Sequence, residues 1–306
     1  MEAYILDHIR RGGYAALPER KDAYRNDKGW IDYRIGEHIV FAYRKNDYTA
    51  DRFTDALHVH DYVEMILFAA GDVQYLSGSR GALPQEGSVV IIPPGKSHTT
   101  RLLREGEYTR YVLYFSPSAF AENGDEMLRA LLQAAEESFT VTLNSDELLA
   151  ANNALDKVMQ GVQSGDGIGK FSAYSGITDL LTLIAGAFLH RTEEEAPMRL
   201  PENITAIRRY IEKNFASIAS VDALAADFYY SREHLARLFR KYYNITPHDY
   251  IEQCRIREAL RLLRAGERVA DVCYLVGYRS MSVFLAAFRR RVGSTPSAVR
   301  RISPPS

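Results

Sequence analysis

Cysteine is almost missing: the 306 residues hold two, Cys254 and Cys273. Two thiols can build neither a disulfide framework nor a cysteine zinc cage, so the chain reads as one kept reduced in the cytoplasm. Uninterrupted apolar runs of 18 residues are also missing, and no membrane span is expected. The opening "MEAYILDHIRRGG" lacks a basic stretch followed by an apolar one, so no secretory signal is expected either. What is present is ordinary: 46% hydrophobic and 25% charged residues suit a soluble globular protein. The length allows two domains.

The net charge of −1 conceals an imbalance. Residues 198–306 carry 19 Lys and Arg against 10 Asp and Glu, leaving 19 and 29 for the first 197 residues. An acidic front and a basic back point to a polyanionic partner for the back alone, or to two domains that attract one another.

From residue 38 to 115 the hydropathy alternates with period two. "HIVFAYR", "LHVHDYVEMILF", "DVQYLSG", "SVVIIPP", "TTRLL" and "YTRYVLYF" read as short strands between turn residues, the pattern of an all-β barrel or sandwich. The residues before them read as a Tyr-rich arm with a first strand. From about 125 the period changes to that of helices: "DEMLRALLQAAEE", "SDELLAANNALDKVMQGV" with Ser145 as N-cap, and "AYSGITDLLTLIAGAFLHR". The stripe Leu180, Leu181, Ile184, Ala187 and Phe188 packs on the barrel or forms a dimer face. "RTEEEAPMRLP", residues 191–201, reads as a linker, and everything after it as helix.

That last part repeats itself. Residues 227–247, "DFYYSREHLARLFRKYYNITP", match 276–296, "VGYRSMSVFLAAFRRRVGSTP", at an offset of 49 that pairs Tyr229 with Tyr278, Ser231 with Ser280 and Phe239 with Phe288, and reaches back to Asp222 with Asp271. Each copy reads as a short helix, a tight turn and a basic helix N-capped by Ser231 or Ser280 and stopped by Asn244 or Gly293. In the first copy Leu235, Leu238, Phe239 and Tyr242 are expected inside, with Arg232, Glu233, His234, Arg237, Arg240 and Lys241 outside. In the second, Val283, Phe284, Ala287 and Phe288 are expected inside, with Arg279, Ser282, Leu285, Arg289 and Arg290 outside. "PHDYIEQCRIREALRLLRAG" joins the copies as one long helix with Pro247 at N1. A capped basic helix after a tight turn is the helix-turn-helix, whose second helix enters the major groove of double-stranded DNA.

On "SREHLARLFRKYYNITPHDYI", "RIREALRLL" and "VGYRSMSVFLAAFRRRVGSTPSAVRR", residues 203–301 resemble the DNA-binding domain of the AraC/XylS family of bacterial transcription regulators. Asn244 stands where that family usually has Gly, a change Asn tolerates. Ala286 stands where it commonly has Arg, so the first recognition helix, through Arg237, is expected to read more sequence than the second.

In the front half, His58, His60 and Glu64 fall on alternate residues of an expected strand, with Tyr62 on the same face. Together with Gly87, Pro93, Gly95 and His98 they resemble the two cupin motifs, His-x-His-x3-Glu-x6-Gly and Gly-x5-Pro-x-Gly-x2-His; Leu102 replaces the usual final Asn. The resemblance implies a small β-barrel sensor. It also implies that His58, His60, Glu64 and His98 are either ligands of a divalent transition metal or hydrogen-bonding partners of a small effector. Tyr62, Ile66 and Phe68 are expected pocket walls, covered by Trp30 and the arm.

The chain is therefore expected to be an α+β two-domain protein. A cupin-like sensing and dimerisation domain (1–190), with flanking helices, precedes a linker (191–201) and an all-α double helix-turn-helix (202–306). The expected function is a cytoplasmic, homodimeric regulator that binds promoter DNA under control of a small polar effector, a sugar by family analogy. Its alternative is a metal-dependent cupin enzyme fused to a DNA-binding domain.

Overall fold

The computed structural model describes residues 57–116 apart from Ser79, 140–190 and 198–302, together with 23–25, 31–35, 39–48, 52–53, 119 and 125–137. The arm with Trp30 and residues 191–197 of the expected linker lie outside the described residues. The chain divides into two compact units, one drawn from 16–198 apart from 55–59, the other centred on 199–306.

The first unit is two sheets with helices on one side. Its strands are β1 (Ala23–Arg25), β2 (Ile31–Ile35), β3 (Ile39–Tyr48), β4 (Arg52–Phe53), β5 (Val63–Ala70), β6 (Val73–Ser77), β7 (Arg80–Ala82), β8 (Ser88–Ile92), β9 (His98–Leu102), β10 (Gly106–Phe115), β11 (Thr140–Thr142) and β12 (Met198–Arg199). The larger sheet runs β1-β2-β3-β10-β5-β8-β11 and the smaller β12-β7-β6-β9-β4. The helices are α1 (Asp125–Glu137), α2 (Ser145–Ser164) and α3 (Gly167–His190).

Period two sorts the side chains of the larger sheet. Phe41, Met65, Leu67, Ile91, Leu113 and Phe115 face outward and share one core with Leu131 of α1, Val158 of α2 and Ile177, Leu181 and Ile184 of α3. Ala42, Ile66, Phe68, Val90, Ile92 and Val112 face inward and meet Val73, Tyr75 and Leu102 of the smaller sheet. The stripe on α3 thus packs on the sheet. Among the described residues α3 is the one helix long and apolar enough to cross a membrane, but half of that stretch is buried inside this core. α2 and α3 cross backbone to backbone because a Cβ on Gly161 would stand 2.3 Å from the Gly169 carbonyl oxygen.

The N-cap of α2 is Asn144, not the expected Ser145. Its side chain accepts from the Glu147 N–H while Glu147 accepts from the Asn144 N–H, a reciprocal pair that a serine one residue later cannot make.

The second unit is helical: α4 (Glu202–Asn214), α5 (Val221–Asp227), α6 (Arg232–Tyr243), α7 (Pro247–Arg264), α8 (Val269–Leu275), α9 (Met281–Val292) and α10 (Pro296–Ile302). Ser231 caps α6 by accepting from the His234 N–H, and Thr246 caps α7 ahead of Pro247. Asn244 (φ 53°) and Gly293 (φ 74°) close α6 and α9 in the left-handed conformation, as their types suggest. Ser280 precedes α9 but makes no capping bond; its hydroxyl pairs with that of Ser282.

The duplication is real, but its offset is not constant. Phe284 and Phe288 are buried 49 residues after Leu235 and Phe239, whereas the buried pair of the preceding helix, Leu224 and Ala225, recurs 48 residues on as Val272 and Cys273. Tyr230 N–H donates to the Ala225 carbonyl and Tyr278 N–H to that of Cys273, so Tyr230 is the counterpart of Tyr278. The pairings Tyr229 with Tyr278 and Asp222 with Asp271 fail, because the second turn holds one residue more. Tyr229 instead corresponds to Gly277: both have positive φ, and Tyr229 is 97% exposed.

Two more expectations shift by one position around a helix. Tyr243, not Tyr242, completes the buried face of α6, with Leu238 only half-buried. Val283 is exposed on α9, and the buried position one turn beyond Phe284, Ala287 and Phe288 is Arg291. Its Nε donates to Glu252 Oε1 of α7 at 2.7 Å, while Arg290 Nη2 donates to Oε2 at 2.5 Å.

Burial raises the Glu252 carboxyl, but the hydrogen bonds from Arg290 and Arg291 outweigh it and leave the group below the usual carboxylate range. A depressed folded pKa stabilises the fold above the usual carboxylate range and loses that contribution as pH falls through the lower value. Glu252→Ala takes the carboxylate from the Nε of Arg291, which is 6% exposed, and leaves it the longer pairing with Asp249 Oδ1 at 3.3 Å; the change is expected to cost about 3 kcal/mol in urea unfolding at pH 7. Glu252→Gln is expected to flatten the acid limb of the stability profile relative to wild type.

Candidate functional site

The segment 57–68 is not one strand. β5 begins at Val63, and residues 57–60 are all buried, without alternation. His58 and His60 therefore do not reach Glu64 through a shared strand face. A turn does the work: Gly95 (φ +80°) donates its N–H to the His60 carbonyl at 2.8 Å, and Lys96 N–H donates to the Pro93 carbonyl. The Pro-x-Gly of the second motif thereby pins the backbone of the first.

His60 and His98 converge on one carboxylate oxygen. The Nε2 atoms lie 3.0 and 2.8 Å from Glu64 Oε2. Each ring is set by its other nitrogen, His60 Nδ1 on the Tyr62 carbonyl at 2.9 Å and His98 Nδ1 on the Lys96 carbonyl at 3.0 Å. A carbonyl only accepts, so both Nδ1 atoms carry protons. Each Nε2 then faces Glu64 either as imidazolium N–H or as a bare lone pair, and two lone pairs beside a carboxylate are the makings of a cation site. With His58 the four residues offer ligand atoms all within 4.8 Å of one another. Three imidazoles and a carboxylate, with the Nδ1 protons fixed on carbonyls, fit a divalent transition metal.

Aromatic rings wall the group. Tyr62 stacks on His60 with centroids 3.9 Å apart, Tyr75 stacks on His98, and Tyr114 meets Tyr62 edge-on. Burial pushes the Glu64 carboxyl up, but the hydrogen bonds from His60 and His98 hold it well below the usual range. An ionised carboxylate thus sits buried among imidazole and tyrosine rings. The expected walls Ile66 and Phe68 lie on the same inner face. Tyr75 and Tyr114 were not anticipated, although Tyr114 stands directly opposite Glu64.

On the helical unit α6 exposes Arg232, Glu233, Arg237, Arg240 and Lys241, as its 3.6 period implies. Arg232 pairs with Asp222 at 3.1 Å, and His234 is half-buried, stacked on Tyr230. On and before α9, Arg279, Ser282, Leu285 and Arg289 are exposed. Arg290 is exposed too, but its guanidinium is tied to Glu252. The buried Arg291 was missed, although it continues the stripe of Phe284, Ala287 and Phe288 at helical spacing.

Residues 38–151 match the family model described as the AraC-like ligand binding domain, and 224–302 the one described as a helix-turn-helix domain. The chain is 30% identical over 108 residues to the bifunctional transcriptional activator/DNA repair enzyme AdaA of Bacillus subtilis, a match covering 34% of this chain and 51% of AdaA. Longer matches are to the HTH-type transcriptional regulator YdeC of B. subtilis, 24% identical over 81% of this chain and 86% of YdeC, and to the HTH-type transcriptional activator RhaS of Escherichia coli, 24% identical over 80% and 87%. The class is that of a DNA-binding transcription regulator with a ligand-binding domain, not of a cupin enzyme. Within that class the chain is a member of the AraC family.

Proposed function

We propose that the inner face of the β unit binds a small polar effector, a sugar being one candidate, and that binding changes which promoter half-sites a cytoplasmic homodimer occupies. The division of labour falls at residues 191–201, with sensing and dimerisation before it and DNA binding after it. The observation that carries this reading is the buried, ionised Glu64, oriented by His60 and His98 and walled by Tyr62 and Tyr114. A carboxylate held ready in an aromatic surround accepts hydrogen bonds from hydroxyl groups with little reorganisation. His58 completes the effector contacts. An effector acts as a switch only if it binds one arrangement of the regulator better than the other.

DNA contacts are assigned to Arg232, Glu233, His234, Arg237, Arg240 and Lys241 of α6 and to Arg279, Ser282, Leu285 and Arg289 of the second copy. Arg290, tied to Glu252, contributes through a phosphate at most. Arg237, mid-helix and exposed, reads base edges.

A second reading concerns the same four residues: His58, His60, Glu64 and His98 hold a divalent transition metal. The orientation of both Nε2 atoms supports it, since carbonyl-anchored Nδ1 protons are the usual outer partners of metal-bound imidazoles. Such an ion would supply a Lewis-acidic anchor for an effector oxygen.

Arg237→Ala is expected to lose roughly 1–3 kcal/mol of discrimination at one base position, measured by quantitative binding to DNA selected from a random pool. An equal loss on selected and random DNA would make Arg237 a phosphate contact. On the second reading, elemental analysis of protein purified without chelator or affinity nickel finds close to one metal per chain, absent from His60→Ala; on the first, it finds none in either protein. Metal-free wild type would reduce the cluster to hydrogen-bonding partners of the effector.

A further inference from the structure

The two recognition helices carry different chemistry at the same places. The offset of 49 residues that takes Leu235 and Phe239 to Phe284 and Phe288 lays α6 on α9 position by position. Away from its buried stripe α6 presents Glu233, His234, Ala236 and Arg237, then Arg240 and Lys241 in its last turn. The counterparts on α9 are Ser282, Val283, Leu285 and Ala286, then Arg289 and Arg290. The basic last turn is kept. Ahead of it, a charged and hydrogen-bonding surface, on which Arg237 Nη2 donates to His234 Nδ1 at 3.4 Å, gives way to an apolar one.

Packing does not account for that apolar surface. The core of the second copy takes Phe284, Ala287 and Phe288 from α9, while Val283 is 56% exposed and Leu285 41%. The two lie about 160° apart around the helix, with Ser282 and Ala286 between them. The Ser282 hydroxyl is paired with that of Ser280 at 2.9 Å, and Ala286 is small enough to let a flat edge come close. Exposed arginines frame the strip, Arg279 ahead of the helix and Arg289 behind it. An apolar strip between two guanidinium groups is complementary to DNA rather than to an apolar protein surface, because phosphates flank the groove and the base edges within it include one apolar group. In the major groove that group is the C5-methyl of thymine.

We propose that α9 reads its half-site by thymine: the C5-methyl groups lie against Leu285 and Val283, Ala286 lets the base edges approach, and Arg279 and Arg289 hold the phosphates on either side. The two halves of the binding site then differ in kind, α6 recognising a base by the hydrogen bonds of Arg237 and α9 recognising methyl groups. This inference rests on α9 meeting DNA and supplies what it reads there.

The test uses the full chain and a duplex selected from a random pool, with each thymine replaced in turn by deoxyuridine. That exchange removes the methyl and keeps every hydrogen-bonding group. At one or more thymines it is expected to weaken binding about fourfold, the worth of one buried carbon group. Leu285→Ala or Val283→Ala is expected to bind the thymine and deoxyuridine duplexes alike at such a position, whereas Arg237→Ala keeps the difference. Ala286→Arg is expected to select guanine where wild type selects thymine, since a guanidinium fork matches guanine O6 and N7. All three α9 positions are exposed, so the variants are expected to unfold at the wild-type temperature, which separates lost binding from lost fold.

Selective binding with no thymine whose methyl matters would overturn the proposal. So would a methyl effect of equal size in wild type and both alanine variants, which would place it in the shape and stiffness of the duplex. Should Leu285→Ala, Val283→Ala and Arg289→Ala all bind the selected duplex as wild type does, α9 is not at the DNA. The reading beneath the proposal then fails with it, and the apolar strip is left to a protein partner.

Discussion

A strand has two sides, and β10 uses both for different ends. One side lays Leu113 and Phe115 into the core shared with α1, α2 and α3. The other presents Tyr108, Arg110, Val112 and Tyr114 to the interior, opposite Arg44 on β3 and Glu64 on β5. Because the outer side supplies the bulk of the apolar burial, the inner side can hold charge. That separation is what permits an ionised carboxylate and two arginines to stand on a sheet that still folds. Sliding β10 by one residue would exchange the two sets and abolish both core and site.

The helical unit solves a related problem. Two short helix-turn-helix copies bury little by themselves, so α7 supplies a common wall. Ile256, Leu260 and Leu263 of α7 pack with Val272, Phe284 and Phe288 of the second copy. Glu252 on the same helix holds Arg291 and Arg290 of α9. A buried carboxylate with two arginine partners fixes the rotation of α9 about its own axis. It thereby decides that Arg289 faces solvent while Arg291 does not. Which arginines remain for DNA is a consequence of that pairing. Tyr229 and Gly277 add a contrast: the same backbone turn is made by a glycine where a Cβ would meet the Ala216 carbonyl, and by an exposed tyrosine in the other copy.

Much of this was legible in the residues. Period two marked most of the strands, and period 3.6 placed the helices to within a few residues, since both follow from backbone geometry that each segment carries with it. The caps at Ser231, Asn244 and Gly293, and Pro247 at N1, were readable because they act within one turn of their own position. The cupin-like motifs named His60, Glu64 and His98 correctly as neighbours. Their spacing misled about the means, because a turn at Pro93–Gly95 that bonds back to His60 is a contact across 35 residues.

The sequence by itself determined which segments are strands and helices, the duplicated DNA-binding unit and the types of side chain available to a site. Only the tertiary structure decided that Arg44 lies opposite Arg110, that Arg291 is buried on Glu252, and that the repeat steps by 48 in one helix and 49 in the next. Register and helix rotation are set by partners distant in the chain. A side chain's face is local information, but what stands opposite it is not.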